Sequence, residues 1–211
     1  MNRFVFFARK VSHSNTRTVW ILKCDIKKFF ASIDHIILKE ILREYISDTQ
    51  ILALLDEIIG SFQSTGQGKG LPLGNLTSQL LVNIYMNEFD QYVKHKMKEK
   101  RYVRYADDFV FLSYNREALF RLIPTIQDFL QERLKLELHP NKLFLKTLSS
   151  GVDFLGWVHF PDHRVLRTAT RRRIVNRISV QSKRETIASY VGMLKYGDAM
   201  KISKEVEKFL V

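Results

Sequence analysis

The chain has 211 residues and a formal net charge of +12, which is enough length for one core with a small appendage and enough excess cation to expect a polyanionic partner. Its single cysteine, Cys24, excludes a disulfide framework and a cysteine-built zinc site. The apolar run near the start is far too short for a signal peptide and no stretch could span a bilayer, so a reducing, cytoplasmic setting with no membrane partner is expected.

Residues 1–18 are basic and polar after a short aromatic patch and support no assignment. Val19–Ile26 reads as a strand with Trp20, Leu22, Cys24 and Ile26 on one face and Val19, Ile21, Lys23 and Asp25 on the other. The first face is uniformly apolar and should pack on helices. The second ends in a carboxylate, where a site can be built. Asp34 is a plausible N-cap for a helix reaching about Glu44, with Ile37, Leu38, Ile41 and Leu42 as its buried stripe. A second helix is expected from Asp48 to Ile59, stopped by Gly60, with Gly66, Gly68 and Gly70 in a mobile loop after it. No strand precedes these glycines, so they are not a dinucleotide fingerprint.

Gly70–Gln79 leads into a long predicted helix, about Leu76 to Lys98, in which Leu76, Leu80, Ile84, Phe89, Val93 and Met97 follow helical spacing. Gly74 and Asn75 at its entry let backbone approach a ligand, and a helix N-terminus favours phosphate. Tyr102–Tyr105 and Phe109–Leu112 read as a hairpin with the adjacent Asp107 and Asp108 at its turn. Asp is common in turns, but two adjacent carboxylates held against apolar strands need cations nearby. A helix follows from about Arg116 to Arg133, with Pro124 predicted to kink it. Leu134–Leu138 then reads as a strand, His139–Asn141 as a turn, Lys142–Lys146 as a returning strand and Val152–Phe160 as a further strand or hairpin arm. His159 and His163 straddle Pro161-Asp162, which favours a turn over a zinc site. From Thr170 the pattern is helical to the end through Tyr190, Leu194 and Val206, and eight Lys/Arg lie between Arg164 and Arg184 with no acidic residue. A domain boundary is expected near Phe160.

Asp25 ends one strand and Asp107 lies on a turn 82 residues later. If those strands are neighbours in one antiparallel sheet, three carboxylates meet on one edge. Oxygen ligands of this kind suit magnesium, and two such ions about 3.5–4 Å apart drive in-line phosphoryl displacement.

The ordered runs Asp25-Ile-Lys-Lys-Phe-Phe30, Leu-Pro-Leu-Gly-Asn-Leu-Thr-Ser-Gln79, Tyr-Ala-Asp-Asp108, Leu-His-Pro-Asn-Lys142 and Phe-Leu-Gly-Trp157 resemble the palm motifs of reverse transcriptases over most of residues 19–160. The resemblance implies an α+β fold, a right-hand polymerase palm of antiparallel sheet packed on helices over 1–160, followed by a small basic helical thumb over 161–211. It implies RNA-directed DNA polymerisation, with RNA template, DNA primer and dNTPs as partners and an accessory retroelement protein as a candidate partner. It implies two Mg2+ ions, with Mn2+ a candidate substitute, on Asp25, Asp107, the Ile26 carbonyl and Asp108 in support. Phe30 would be the steric gate against a ribose 2′-hydroxyl; Leu73, Gly74 and Gln79 would lie along the incoming nucleotide and template base. Lys142 would stabilise or protonate pyrophosphate. Tyr105, Leu155, Gly156 and Trp157 would contact the primer, and Arg171, Arg172 and Arg173 would track duplex backbone.

Two departures from the family pattern stand out. Pro72-Leu73-Gly74 followed by Ser78-Gln79 resembles the form in diversity-generating retroelements and their bacterial relatives, with an apolar Leu73 where other members carry an amide. Only 24 residues precede Asp25, fewer than the family's fingers region needs. A palm–thumb RNA-binding module that no longer polymerises is therefore the alternative reading; an RNA-dependent RNA polymerase is disfavoured by Phe30.

Overall fold

A computed structural model describes residues 2–62, 67–180, 184–194 and 197. In chain order its elements are α1 (Asn2–Ser12), β1 (Trp20–Asp25), α2 (Phe29–Ser32), α3 (His35–Tyr45), α4 (Thr49–Gly60) and α5 (Leu76–Gln91). A π-helical turn (Tyr92–Lys96) follows, then β2 (Tyr102–Tyr105), β3 (Asp108–Ser113), α6 (Arg116–Leu134), β4 (Phe144–Thr147), β5 (Val152–Phe154), β6 (Trp157–His159), β7 (Arg164–Leu166), α7 (Thr168–Val180) and α8 (Arg184–Leu194). The chain divides into two compact units, 21–145 and a second made of 1–20 with 146–211.

In the larger unit the strands form one sheet in the order β2-β3-β1-β4. The expected hairpin is present, antiparallel with Tyr102 opposite Phe111 and Tyr105 opposite Asp108. Phe109, Val110, Phe111 and Leu112 are all buried, as are Ile21, Leu22 and Cys24 of β1, so both faces of the central strands are covered. Phe89 of α5 packs its ring 5.2 Å from Phe109, and Tyr102 lies 4.9 Å from Phe111. Asp34 caps α3 as predicted, and Asp48, expected as the first residue of the second helix, instead caps α4; each carboxylate accepts two backbone N–H groups.

Several expectations are corrected. α1 was not anticipated, although Phe4, Phe7, Ala8 and Val11 are buried at helical spacing. On α3 the buried positions are His35, Leu38, Ile41 and Leu42, with Ile37 only half-buried. Gly60 does not stop α4 in a left-handed turn; it is the last helical residue, and Ser61 caps it. The glycines after it sit in pinned backbone where they are described: Gly70 donates to Ile33 (2.8 Å), its carbonyl meets the His35 ring (2.7 Å), and Leu71 donates to Phe30 (2.8 Å). Gly66 lies outside the described residues. The long helix ends at Gln91 and relaxes into the π-turn, and its packed stripe is Leu81, Val82, Tyr85, Met86 and Phe89. Leu76 and Leu80 are 81% and 62% exposed instead. Spacing identifies a helix but not which of two apolar stripes meets the sheet. Residues 135–138 form no strand; they meet β1's end through a single bridge, Ile26 opposite Leu138.

One polar cluster fixes the hairpin's end. The Arg104 guanidinium makes a two-pronged pair with Asp90 of α5 (Nε–Oδ1 2.9 Å, Nη2–Oδ2 2.6 Å), and Tyr102 Oη donates to the same carboxylate (2.8 Å). Arg104 also donates to Asn83 Oδ1 (3.2 Å) and to the Ala106 carbonyl (3.1 Å). Ala106 has φ 53, a left-handed conformation that a residue with a Cβ adopts only when held there.

In the smaller unit, β5, β6 and β7 form an antiparallel sheet, the first two joined through Leu155 and Gly156, both left-handed (φ 55 and φ 81). Phe4 of α1 packs against Phe154 (5.5 Å) and the His159 ring (4.5 Å). Trp157 anchors a core with Ile174, Ile178, Ile187 and Leu194 of α7 and α8. The helical pattern predicted from Thr170 is present in α7 and α8, and its later part, with Val206, lies outside the described residues.

His159 is 2% exposed, and burial pushes its imidazole down to about 4. The folded state thus takes up this proton later than the unfolded chain does. The associated stability is present above about pH 6.5 and is lost as pH falls toward 4. Urea titrations at pH 7 and pH 4 should show wild type losing about 2–3 kcal/mol more than His159→Phe, whose ring cannot titrate. Arg104→Ala should cost about 2–3 kcal/mol in urea unfolding because it strands Asp90 beside the core, with Arg104→Lys recovering only part of that loss. Equal stability of the three proteins would show that the cluster does not hold the hairpin.

Candidate active site

The end of β1 and the β2–β3 turn are adjacent, as the sheet order β2-β3-β1 requires. Ile26 N–H donates to the Asp107 carbonyl at 3.3 Å, which ties the residue after Asp25 to the residue before Asp108. On the other side, His139 N–H donates to the Asp25 carbonyl (2.8 Å) and Lys27 N–H to the Glu137 carbonyl (2.9 Å). Asp25 is therefore held on both flanks.

The side chains show how three like charges coexist. Lys142 Nζ lies 3.0 and 3.1 Å from the two Asp25 carboxylate oxygens. Lys23 Nζ lies 2.9 Å from Asp108 Oδ2, both side chains largely buried. Burial raises the Asp107 carboxyl above its ordinary range, and the Asp25 charge raises it further, while Lys142 and Lys23 oppose both. Asp108 is pushed up to about 6, first by burial and then by Asp25 and Asp107, against the pull of Lys23. Its other oxygen, Oδ1, is buried with no hydrogen-bond partner among the described residues.

Three carboxylates set against two lysines leave a negative edge that fits a hard cation. Asp25, Asp107 and the Ile26 carbonyl are oxygen donors of the kind magnesium takes. Among the described residues no three His, Cys, Asp or Glu side chains form a ready-made cage.

The other predicted site residues fall into three groups. Phe30 sits half-buried on α2, edge-on to Phe29 at 5.5 Å, with its carbonyl accepting from Leu71. Leu73 is 78% exposed, Gly74 is left-handed (φ 92) with open space where a Cβ would be, and Gln79 is exposed on the first turns of α5. The Gln79 carbonyl accepts from Asn83, which also accepts from Arg104, so the α5 entry and the hairpin share one polar chain. Tyr105 is exposed beside Asp108. Leu155, Gly156, Trp157 and the exposed Arg171, Arg172 and Arg173 belong to the other unit. There Trp157 is 2% exposed, its ring given to the core and to the Arg164 guanidinium 5.3 Å from its centroid.

Lys23, Asp90, Asn83 and Arg104 were not among the predicted site residues. Lys23 was within reach, since it alternates onto the same strand face as Asp25. Arg104 and Asp90 are 14 residues apart on different elements, and no pattern in the chain pairs them.

Residues 3–159 match the family described as reverse transcriptase (RNA-dependent DNA polymerase). Protein YkfC of Escherichia coli (strain K12) is 28% identical over 221 aligned residues, covering 85% of this chain and 56% of the relative. Group II intron-encoded protein LtrA of Lactococcus lactis is 25% identical, covering 83% of this chain and 39% of the relative. The chain thus spans about half or less of each of these relatives' length. Apo telomerase from Candida tropicalis, truncated from its C-terminal domain, superposes with a TM-score of 0.60 at 16% identity, covering 79% of this chain and 39% of that one. The mixed architecture, an antiparallel sheet packed on helices, is therefore the polymerase palm fold expected from the motifs. With the matched segment reaching across both the Asp25 strand and the Asp107–Asp108 turn, the chain belongs to the reverse transcriptase family.

Proposed function

We propose that this chain carries the catalytic core of an RNA-directed DNA polymerase of a bacterial retroelement, adding dNTPs to a primer 3′-hydroxyl opposite an RNA template. The observation that carries this is the meeting of Asp25, Asp107, Asp108 and Lys142 on one sheet edge. Asp25 and Asp107, with the Ile26 carbonyl, would hold Mg2+, which when bound would lower the cost of ionising the attacking hydroxyl and of the charge on the leaving phosphate. Lys23 keeps Asp108 ionised in support of that pair. Lys142, already at the Asp25 carboxylate, is in place to give charge or a proton to departing pyrophosphate.

In this reading Phe30 is the wall below the sugar, and Leu73 and Gly74 line the base pair being formed. Tyr105, Leu155, Gly156 and Trp157 serve the primer end, with Trp157 acting through the turn it anchors. Arg171, Arg172 and Arg173, exposed on α7, follow duplex backbone by charge. Residues 1–160 then serve as palm with residual fingers and those after 160 as thumb. The apolar Leu73 and the Ser78-Gln79 pair favour the diversity-generating lineage.

Primer extension on an RNA template with dNTPs and Mg2+ tests the proposal: Asp107→Asn should lose at least about a hundredfold in rate while still binding template-primer. A wild-type chain that binds template-primer but never extends it would instead support the RNA-binding module. Leu73→Gln should narrow the error spectrum opposite template adenine. An unchanged spectrum on sequencing the products would remove Leu73 from fidelity.

A further inference from the structure

We propose that His35 is a positioning residue for nucleotide selection: its ring clamps the backbone of Gly70, and the clamp sets how the Leu73–Gly74 loop stands against Phe30. The inference rests on the reading in which Phe30, Leu73 and Gly74 line the incoming nucleotide, and it concerns a residue outside that lining. His35 is the first residue of α3 and is 5% exposed. Its ring Nε2 lies 2.7 Å from the Gly70 carbonyl. A carbonyl only accepts, so the proton of this bond sits on Nε2 and the imidazole is the donor. The His35 backbone N–H donates to the Gly68 carbonyl at 3.0 Å. One residue thus holds the strap on both sides of Lys69, whose bridge to Asp34 lies between the two bonds.

The rest of the contact runs on backbone. Gly70 N–H donates to the Ile33 carbonyl (2.8 Å) and Leu71 N–H to the Phe30 carbonyl (2.8 Å). Gly70 has φ 100, outside the strand region, so a regular ladder cannot continue through it. Its carbonyl takes the imidazole instead, and loss of that donor would strand an acceptor at a buried residue. Beyond the clamp the chain changes character at once: Leu71 is 3% exposed, Leu73 is 78% exposed, and Gly74 is left-handed at φ 92. The loop therefore leaves from a fixed point, and that same point holds the Phe30 carbonyl. Gate and loop share one anchor, which the His35 ring closes. The start of α3 is firm enough to serve as its base. The Asp34 carboxylate accepts from the Ile36 and Ile37 N–H groups (3.0 and 3.3 Å), and the buried Tyr85, which meets the Asp34 backbone, donates to the Leu134 carbonyl (2.7 Å). A misplacement of about 1 Å is enough to change how a substrate is held, and deoxyribose is told from ribose on that scale.

The test compares His35→Gln, whose amide N–H reaches about as far as Nε2, with His35→Asn, whose amide stops short of it. Single-nucleotide primer extension by the full chain, on an RNA template with Mg2+, gives kcat/KM for dCTP and for CTP. His35→Asn should lower the dCTP-over-CTP ratio about tenfold, chiefly through a higher KM for dCTP, and His35→Gln should keep most of the wild-type ratio. The ratio does not depend on how much of a variant is folded. Variants that lose rate but keep the wild-type ratio would show His35 serving the fold alone and overturn the proposal. Hydrogen–deuterium exchange reads the clamp without nucleotide: the Gly70 and Leu71 amides should exchange about tenfold faster in His35→Asn, and near the wild-type rate in His35→Gln, with β3 unchanged. Equal exchange of these two amides in wild type and His35→Asn would remove the clamp. If the exchange difference is seen but wild type extends no primer, it is the polymerase reading that fails, and the role in selection with it.

Discussion

The structure turns on holding several carboxylates together where water is scarce. Asp107 and Asp108 are raised first by burial and then by neighbouring negative charge, and Asp108 carries an oxygen with no hydrogen-bond partner among the described residues. Two lysines make this tolerable. Lys23 comes from the same strand face as Asp25, and Lys142 comes from the short turn after residues 135–138. Without them the edge would relax by protonation, and it would lose the charge that suits it to a divalent ion.

The same requirement explains the scaffold behind the edge. A turn carrying adjacent aspartates tends to open, so the chain stiffens it from behind with a guanidinium that grips Asp90, Asn83 and the Ala106 carbonyl together. Below that lies a wall of rings, Phe89, Tyr102, Phe109 and Phe111, which makes the strands hard to shift. The polar chain continues through Asn83 to the Gln79 carbonyl, so the hairpin and the first turns of α5 are positioned by one network.

Much of this was readable before any coordinates. Alternation marks β1, aromatic and β-branched runs on either side of Asp107-Asp108 mark the hairpin, and Asp34 announces a helix start because its short carboxylate satisfies free N–H groups. What was not readable depends on tertiary choice. Leu76 and Leu80 have helical spacing yet face out, because Leu81, Tyr85 and Met86 form a second stripe that fits the sheet better. The 135–138 stretch has strand composition, but only Leu138 finds a partner. The strands β5 to β7 are three residues each, too short for alternation to register. At the site, the carboxylates were visible as motifs, whereas their cationic partners were visible only as ordinary lysines until the fold brought them near.

Cys24 has a practical consequence. It lies fully buried on the central strand between Leu22 and Ile26, and burial with the nearby Asp108 charge pushes its thiol far above the ordinary range. A thiol kept protonated and out of reach is chemically silent while β1 is paired. As the protein's lone sulfhydryl, it is a built-in clock for the opening of β1: its rate of alkylation counts how often the strand comes apart, with no label added to the carboxylate edge it supports.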